Sequence, residues 1–242
     1  MGDETKISWT QHTWNPWRGC TKISPGCKNC YMYTAQLKQA RITGNAETWN
    51  PFKVLKTTTW GEPARWQREA AAAGRIDRVF TCSWSDFFHE DADHWRVKAW
   101  LTIRNCPNLH FQILTKRPEN IYTRLPTNWR HGDPNVWLGV SIESPDYLWR
   151  ADVLRRIPAR VRFISAEPLL APLSSLDLTG FHWLIVGGES GPGYRPMDLD
   201  WARELRDKAL LAGVAFFFKQ SAAPRTEMGT TLDGQEWKEY PL

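Results

Sequence analysis

The sequence predicts an α/β protein built as a full or partial parallel (β/α) barrel. Three observations carry that expectation: short apolar, β-rich runs recur along the chain, helical stretches with readable ends separate them, and a polar cluster follows each run. The runs are Arg78 to Ser83, Leu109 to Leu114, Val136 to Ile142, Val161 to Ser165, His182 to Val186 and Val214 to Phe218, with one further strand before Cys20. Their spacing leaves room for a crossover helix in each unit, and right-handed crossovers wind parallel strands toward a barrel.

The helices are placed by their termini. Pro63 is tolerated in a first turn, Ala64 to Ala73 are good helix formers, and Gly74 closes the segment with a left-handed cap. Asp91 to Asn105, Pro145 to Ile157 and Leu199 to Leu211 read the same way, the last ended by Gly213. Residues 44–60, rich in Thr, Asn and Trp, read as an insertion loop, and residues 221–242 read as an irregular tail on a single domain spanning 1–242.

A chain of 242 residues with 42% hydrophobic content can bury a sizeable core, and 24% charged residues without a long polar tract argue against disorder. The polar start, Met1 to Lys6, leads into no apolar run, and no stretch approaches the ~20 apolar residues of a membrane span. A cytoplasmic protein without membrane attachment is expected. The net charge of +5 is compatible with an anionic partner and decides nothing alone. Fifteen tryptophans can fill a core or stack on bases, and core filling is the default.

Five cysteines without an export signal do not read as a disulfide framework. Cys82 and Cys106 stand alone and read as small buried hydrophobes. Cys20, Cys27 and Cys30 lie in one segment with C-x6-C-x2-C spacing, where Pro25 and Gly26 allow a tight turn. Thiolates this close in a cytosolic chain are metal ligands by default. Three of them suit an iron-sulfur cubane that keeps one iron open for a small molecule. A structural zinc ion would want a fourth ligand, which His12, His89 or Cys82 could supply. A zinc-bearing nucleic-acid-binding module therefore stands as the alternative, and a redox-sensing cysteine protein as a third reading without a marked resolving pair.

The polar groups that follow the strands are Ser83-Trp84-Ser85-Asp86, Thr115-Lys116-Arg117, Ser141 with Glu143, Ala166-Glu167-Pro168, Gly187-Gly188-Glu189-Ser190-Gly191 and Lys219-Gln220. Ligands of parallel α/β folds gather at the carboxyl ends of strands, so these groups mark one end as the site.

The run Gly19-Cys-Thr-Lys-Ile-Ser-Pro-Gly-Cys-Lys-Asn-Cys-Tyr31, with the later Leu-Thr-Lys-Arg-Pro, Gly-Val-Ser-Ile-Glu-Ser, Ser-Ala-Glu-Pro-Leu, Val-Gly-Gly-Glu-Ser-Gly and Phe-Lys-Gln, resembles the phage-associated three-Cys-motif proteins of the radical S-adenosylmethionine (radical SAM) superfamily. The similarity covers roughly residues 8 to 220. It implies a barrel of the radical SAM type and a 4Fe-4S cluster on Cys20, Cys27 and Cys30. It also implies S-adenosylmethionine (SAM) at the open iron, an external electron donor, and cleavage of SAM to a 5′-deoxyadenosyl radical that abstracts hydrogen from a substrate. The superfamily spacing is C-x3-C-x2-C, and its aromatic residue before the third cysteine is here Asn29, with Tyr31 just after. The superfamily's Gly-Gly-Glu follows the second strand, whereas Gly187-Gly188-Glu189 follows a late one. Ser83, Ser85 and Asp86 are therefore the candidates for the SAM amino contact. Ser141 and Glu143 resemble the ribose contact, and Tyr31, Glu167 and Glu189 complete the cofactor-site candidates. The cations Arg150, Arg155, Arg156, Arg160 and Arg162 nominate nucleic acid as a substrate or partner.

Overall fold

The computed structural model describes Thr5 and residues 7–241. Met1 to Glu4, Lys6 and Leu242, and with them most of the polar start, lie outside the described residues. Seven parallel strands form one sheet in chain order: β1 (His12–Trp14), β2 (Asp77–Thr81), β3 (Leu109–Thr115), β4 (Val136–Ser141), β5 (Val161–Ala166), β6 (Trp183–Gly187) and β7 (Ala215–Gln220). Each pairs only with its sequence neighbours, and β1 does not meet β7, so the sheet is a half-barrel.

Helices α1 (Tyr31–Thr43) and α2 (Glu62–Ala72) lie between β1 and β2, and α3 (Asp93–Arg104) links β2 to β3. The short α4 (Ile121–Arg124) and α5 (Trp149–Arg155) follow β3 and β4, and α6 (Leu199–Ala212) precedes β7. The turn after α6 needs a positive φ, and Gly213 supplies it at 64°. No helix joins β5 to β6. That connection, interrupted by Pro168, Pro172 and Gly180, instead buries Leu169, Leu173, Leu176, Leu178 and Phe181. Among the described residues no helix is long and apolar enough to cross a membrane.

Strand alternation sends Val79, Ile113, Leu138, Ile164, Leu184 and Phe218 into the larger core cluster and the intervening residues to the opposite, concave face. Register lays that concave face out in rows. Phe80, Gln112, Trp137 and Val161 form the first, and Leu114, Gly139, Phe163, Trp183 and Ala215 the second. Ser141, Ser165, Ile185 and Phe217 form the third. Side chains thus pass from aromatic to polar toward the carboxyl end. Gly139 has no side chain because the Phe163 ring fills the space above it: a Cβ there would stand 2.3–2.5 Å from ring carbons.

The tail is not wholly irregular. Thr231–Leu232 pairs with Gln235–Glu236, and the chain then runs along the free edge of β7, where Phe218 N–H donates to Trp237 O at 2.9 Å and Glu239 N–H to Phe216 O at 3.1 Å. An exposed sheet edge is thereby covered. Tyr240 then plugs the amino end of the half-barrel, 5.3 Å from the Trp183 ring and 3.8 Å beneath the Arg78 guanidinium. The expected insertion at 44–60 likewise contains a short strand, Leu55–Lys56, which pairs antiparallel with Trp17–Arg18.

Candidate functional site

A cavity of about 890 Å³ opens at the carboxyl end of the half-barrel, within the size range of small-molecule sites. Its floor is apolar, formed by Trp9, Phe80 and Leu114, and its upper wall carries Cys20, Cys27 and Cys30. The cysteine loop is anchored where it begins. Gly19 N–H donates to Trp84 O at 2.9 Å, the Ser85 hydroxyl donates to Gly19 O at 2.6 Å, and the Tyr33 hydroxyl donates to Cys20 O at 2.7 Å. Pro25–Cys27 then makes one 3-10 turn, and Cys30 stands immediately before α1.

The middle of the loop is tied to the far side of the sheet. Glu189 accepts from Asn29 Nδ2 at 2.9 Å and from the Arg195 backbone and guanidinium at 2.5–2.9 Å, while Arg195 also donates to Pro25 O at 3.0 Å. Burial works against ionisation of Glu189, and the hydrogen bonds from Arg195 and Asn29 outweigh it, holding the carboxyl below its usual range. Gly26 rests on Glu143: a Cβ there would stand 3.1 Å from the carboxyl carbon.

Burial, with the nearby Asp86 carboxylate, pushes the Cys20 thiol up to about 12, and burial raises Cys30 as well. Arg117 opposes the shift at Cys20 and Lys116 opposes it at Cys30. Arg117 is held by Thr21, to which its Nη2 donates, and by Glu90 at 3.6 Å. Cations therefore stand where thiolate charge would develop. All five cysteines are free thiols, and Cys82 and Cys106 are buried. Among the described residues no group of three or more His, Cys, Asp or Glu side chains could hold one metal ion. Of the residues considered as a fourth zinc ligand, His12 stacks on Trp66 and meets Asp77 at 3.3 Å, and both ring nitrogens of His89 are engaged, by Thr21 and by Asp91 N–H.

A family model described as "Protein of unknown function (DUF5131)" matches residues 4–241. The chain belongs to the DUF5131 family. No curated protein and no solved structure matches it.

In this DUF5131 member the residues singled out from the sequence divide into three groups. Tyr31, Ser83, Ser85, Asp86, Ser141, Glu167 and Glu189 all line the cavity, as the three cysteines do. Several are already occupied. The Tyr31 hydroxyl donates to Ser83 O at 2.8 Å, Ser83 exchanges hydrogen bonds with Asn15 at 3.1–3.3 Å, and Ser85 is committed to Gly19. Both Asp86 oxygens are used, Oδ1 by the Thr115 hydroxyl at 2.7 Å and Phe88 N–H at 2.9 Å, Oδ2 by Lys116 N–H at 3.0 Å. Asp86 thus staples the loops after β2 and β3.

Glu143 lies behind the wall rather than on it. It is fully buried and accepts from Arg150 at 2.9 Å, while its Oε1 has no hydrogen-bond partner. That pairing also removes Arg150 from the cationic cluster expected to meet nucleic acid. Arg155 pairs with Asp152 and Asp177, and Arg162 donates to Ile157 O, so the cluster is not one free face. Sequence reasoning gave no role to Asn15, Asn29, Thr21 and Arg195, the residues that fix the loop. Asn29 lies between two of the motif cysteines, whereas Asn15 precedes the motif and Arg195 is distant from it in sequence.

Proposed function

We propose that this protein is an iron-sulfur enzyme of the radical SAM type, with Cys20, Cys27 and Cys30 as cluster ligands. The observation that carries the reading is the opening of three thiols from one loop into one cavity at the carboxyl end of an open parallel sheet. The donor set fits the group. Three soft thiols carried by one loop are the ligand type of iron-sulfur clusters. Arg117 and Lys116 offset only part of the burial that raises Cys20 and Cys30, so deprotonation of these thiols would accompany metal ligation.

When bound, such a cluster supplies the electron that cleaves SAM to methionine and a 5′-deoxyadenosyl radical. The chain's own residues hold and enclose. The ties from Glu189 and Arg195 to Asn29 and Pro25 fix the cysteine loop over the cavity, and Trp9, Phe80 and Leu114 give the cavity an apolar floor. Ser141 faces the cavity beneath the loop and is the residue we assign to the nucleoside part of SAM. Glu143 is not assigned a ribose contact, because its side chain is fully buried and does not line the cavity.

Anaerobic purification with iron and sulfide analysis tests the reading. The protein should be brown with a broad visible absorption, and Cys20→Ala, Cys27→Ala and Cys30→Ala should each lose most of the iron, while Cys82→Ala and Cys106→Ala keep it. Iron retained in all three single variants, or a colourless zinc protein, would reject it.

A further inference from the structure

We propose that the outer face of the cysteine segment, made by helix α1 and the loops packed beside it, docks a small acidic electron-carrier protein. The proposal rests on the iron-sulfur reading of the three thiols and names the partner that would hand the cluster its electron.

Between residues 15 and 61 seven cations stand against one acid, Glu47, an excess larger than the +5 of the whole chain, so the rest of the molecule is slightly acidic. Glu47 is itself taken by Lys53 at 3.5 Å. Lys22, Lys28, Lys38 and Arg41 are exposed, and among the described residues none of them pairs with a carboxylate. Elsewhere acids neutralise the arginines: Arg104 meets Asp133, and Arg203 and Arg206 share Asp233. A positive patch on an otherwise slightly acidic molecule steers and orients an acidic partner.

These cations surround apolar surface. Leu37, Ile42 and Phe52 are 46%, 67% and 56% exposed. Spacings of three and four lay Leu37, Lys38, Arg41 and Ile42 along one side of α1, away from the buried Met32 and Gln36. Tyr33 joins that side to the loops, with Lys22 Nζ 4.7 Å above its ring and the Phe52 ring 5.1 Å away. Lys22 also donates to Lys28 O at 2.9 Å, so the patch continues from α1 onto the cysteine loop. Apolar side chains ringed by charge have the anatomy of a protein interface, whereas a phosphate backbone would meet the cations and leave the aliphatic groups in water.

The place of the patch gives the partner its role. Lys22 and Lys28 lie between the cysteines, and positions 37–42 stand about 10–18 Å along the helix from Cys30. The thiols open inward to the cavity, which none of the patch side chains lines. A protein on the outer face therefore reaches the cluster loop while the cavity stays open to SAM and substrate. The step itself is a single electron transfer: a flavin hydroquinone gives one electron to the oxidised cluster and becomes the semiquinone, with no bond made or broken. Electron-transfer encounters are small and transient, which suits a patch of this extent.

The test is anaerobic stopped-flow reduction of the reconstituted full chain by an acidic flavodoxin in its hydroquinone form, beside reduction by dithionite. The flavodoxin rate should fall steeply with salt, and Lys38→Glu with Arg41→Glu should lower it about tenfold or more. Leu37→Ser with Ile42→Ser, which changes no charge, should weaken flavodoxin binding about tenfold while leaving iron content, SAM affinity and the dithionite rate unchanged. A flavodoxin rate indifferent to salt and to both double variants would overturn the proposal. So would loss of iron or of dithionite reduction in step with the flavodoxin rate in the Leu37 and Ile42 variant. Binding of a single-stranded oligonucleotide that both double variants abolish, without competition from flavodoxin, would assign the face to nucleic acid and overturn it too. Failure of the cluster reading would appear separately as missing iron, and calorimetric titration of flavodoxin into the iron-free protein would still test the face: binding lost in both double variants would support it, and no binding would overturn it.

Discussion

Glu143 and Gly26 show how a residue that looks like a ligand contact works as a support. A carboxylate after a strand, in a Ser-Ile-Glu-Ser motif, is sound chemistry for a ribose, but here its burial is complete and its partner is Arg150. With the pair at 0% and 1% side-chain exposure, removing one partner strands the other charge in the interior. Glu143→Ala should therefore destabilise the fold by about 3–5 kcal/mol, read from chemical denaturation. A change within ~0.5 kcal/mol would show that the pair is dispensable. Asp86 makes the same point, since its two oxygens hold the loops after β2 and β3.

At the scale of elements, the strands were legible because their apolar runs are short, β-rich and bounded by turn residues. The expected Leu109 to Leu114 and Val161 to Ser165 differ from β3 and β5 by one residue each. Helix α1 was not legible. Its sequence, Tyr-Met-Tyr-Thr-Ala-Gln-Leu-Lys-Gln-Ala-Arg-Ile-Thr, buries only Met32, Tyr33 and Gln36 and leaves Leu37 and Ile42 exposed, so no apolar stripe announces it. Long-range packing was hidden as well. Nothing local says that Gly139 must lack a side chain, because the reason is a phenyl ring on the next strand. Gly139→Ala should cost about 1–3 kcal/mol through displacement of Phe163, measured by thermal or denaturant unfolding. Unchanged stability would mean that the ring has room to move.

For the whole molecule, the end of the sheet that carries the cavity was readable and the wiring around it was not. Strand-end polarity and the cysteine spacing pointed to the carboxyl end, where the cavity lies. The ties from Glu189 and Arg195 back to the cysteine loop span more than 150 residues of sequence, and no pattern in a single chain encodes them. Charge is distributed with the same bias. Arg18, Lys22, Lys28, Lys38, Arg41, Lys53 and Lys56 face only Glu47 between residues 15 and 61, so the segment bearing the cysteines carries the chain's excess positive charge. Of the expected cationic face, Arg150 and Arg155 are paired with carboxylates and Arg162 donates to backbone carbonyls.

The measurement that bears most directly on the account is formation of 5′-deoxyadenosine when the anaerobically reconstituted, chemically reduced protein is incubated with SAM. The unaltered chain should yield 5′-deoxyadenosine and methionine, and Cys20→Ala, Cys27→Ala and Cys30→Ala should yield none. A fully iron-loaded, reducible protein that leaves SAM intact would contradict it.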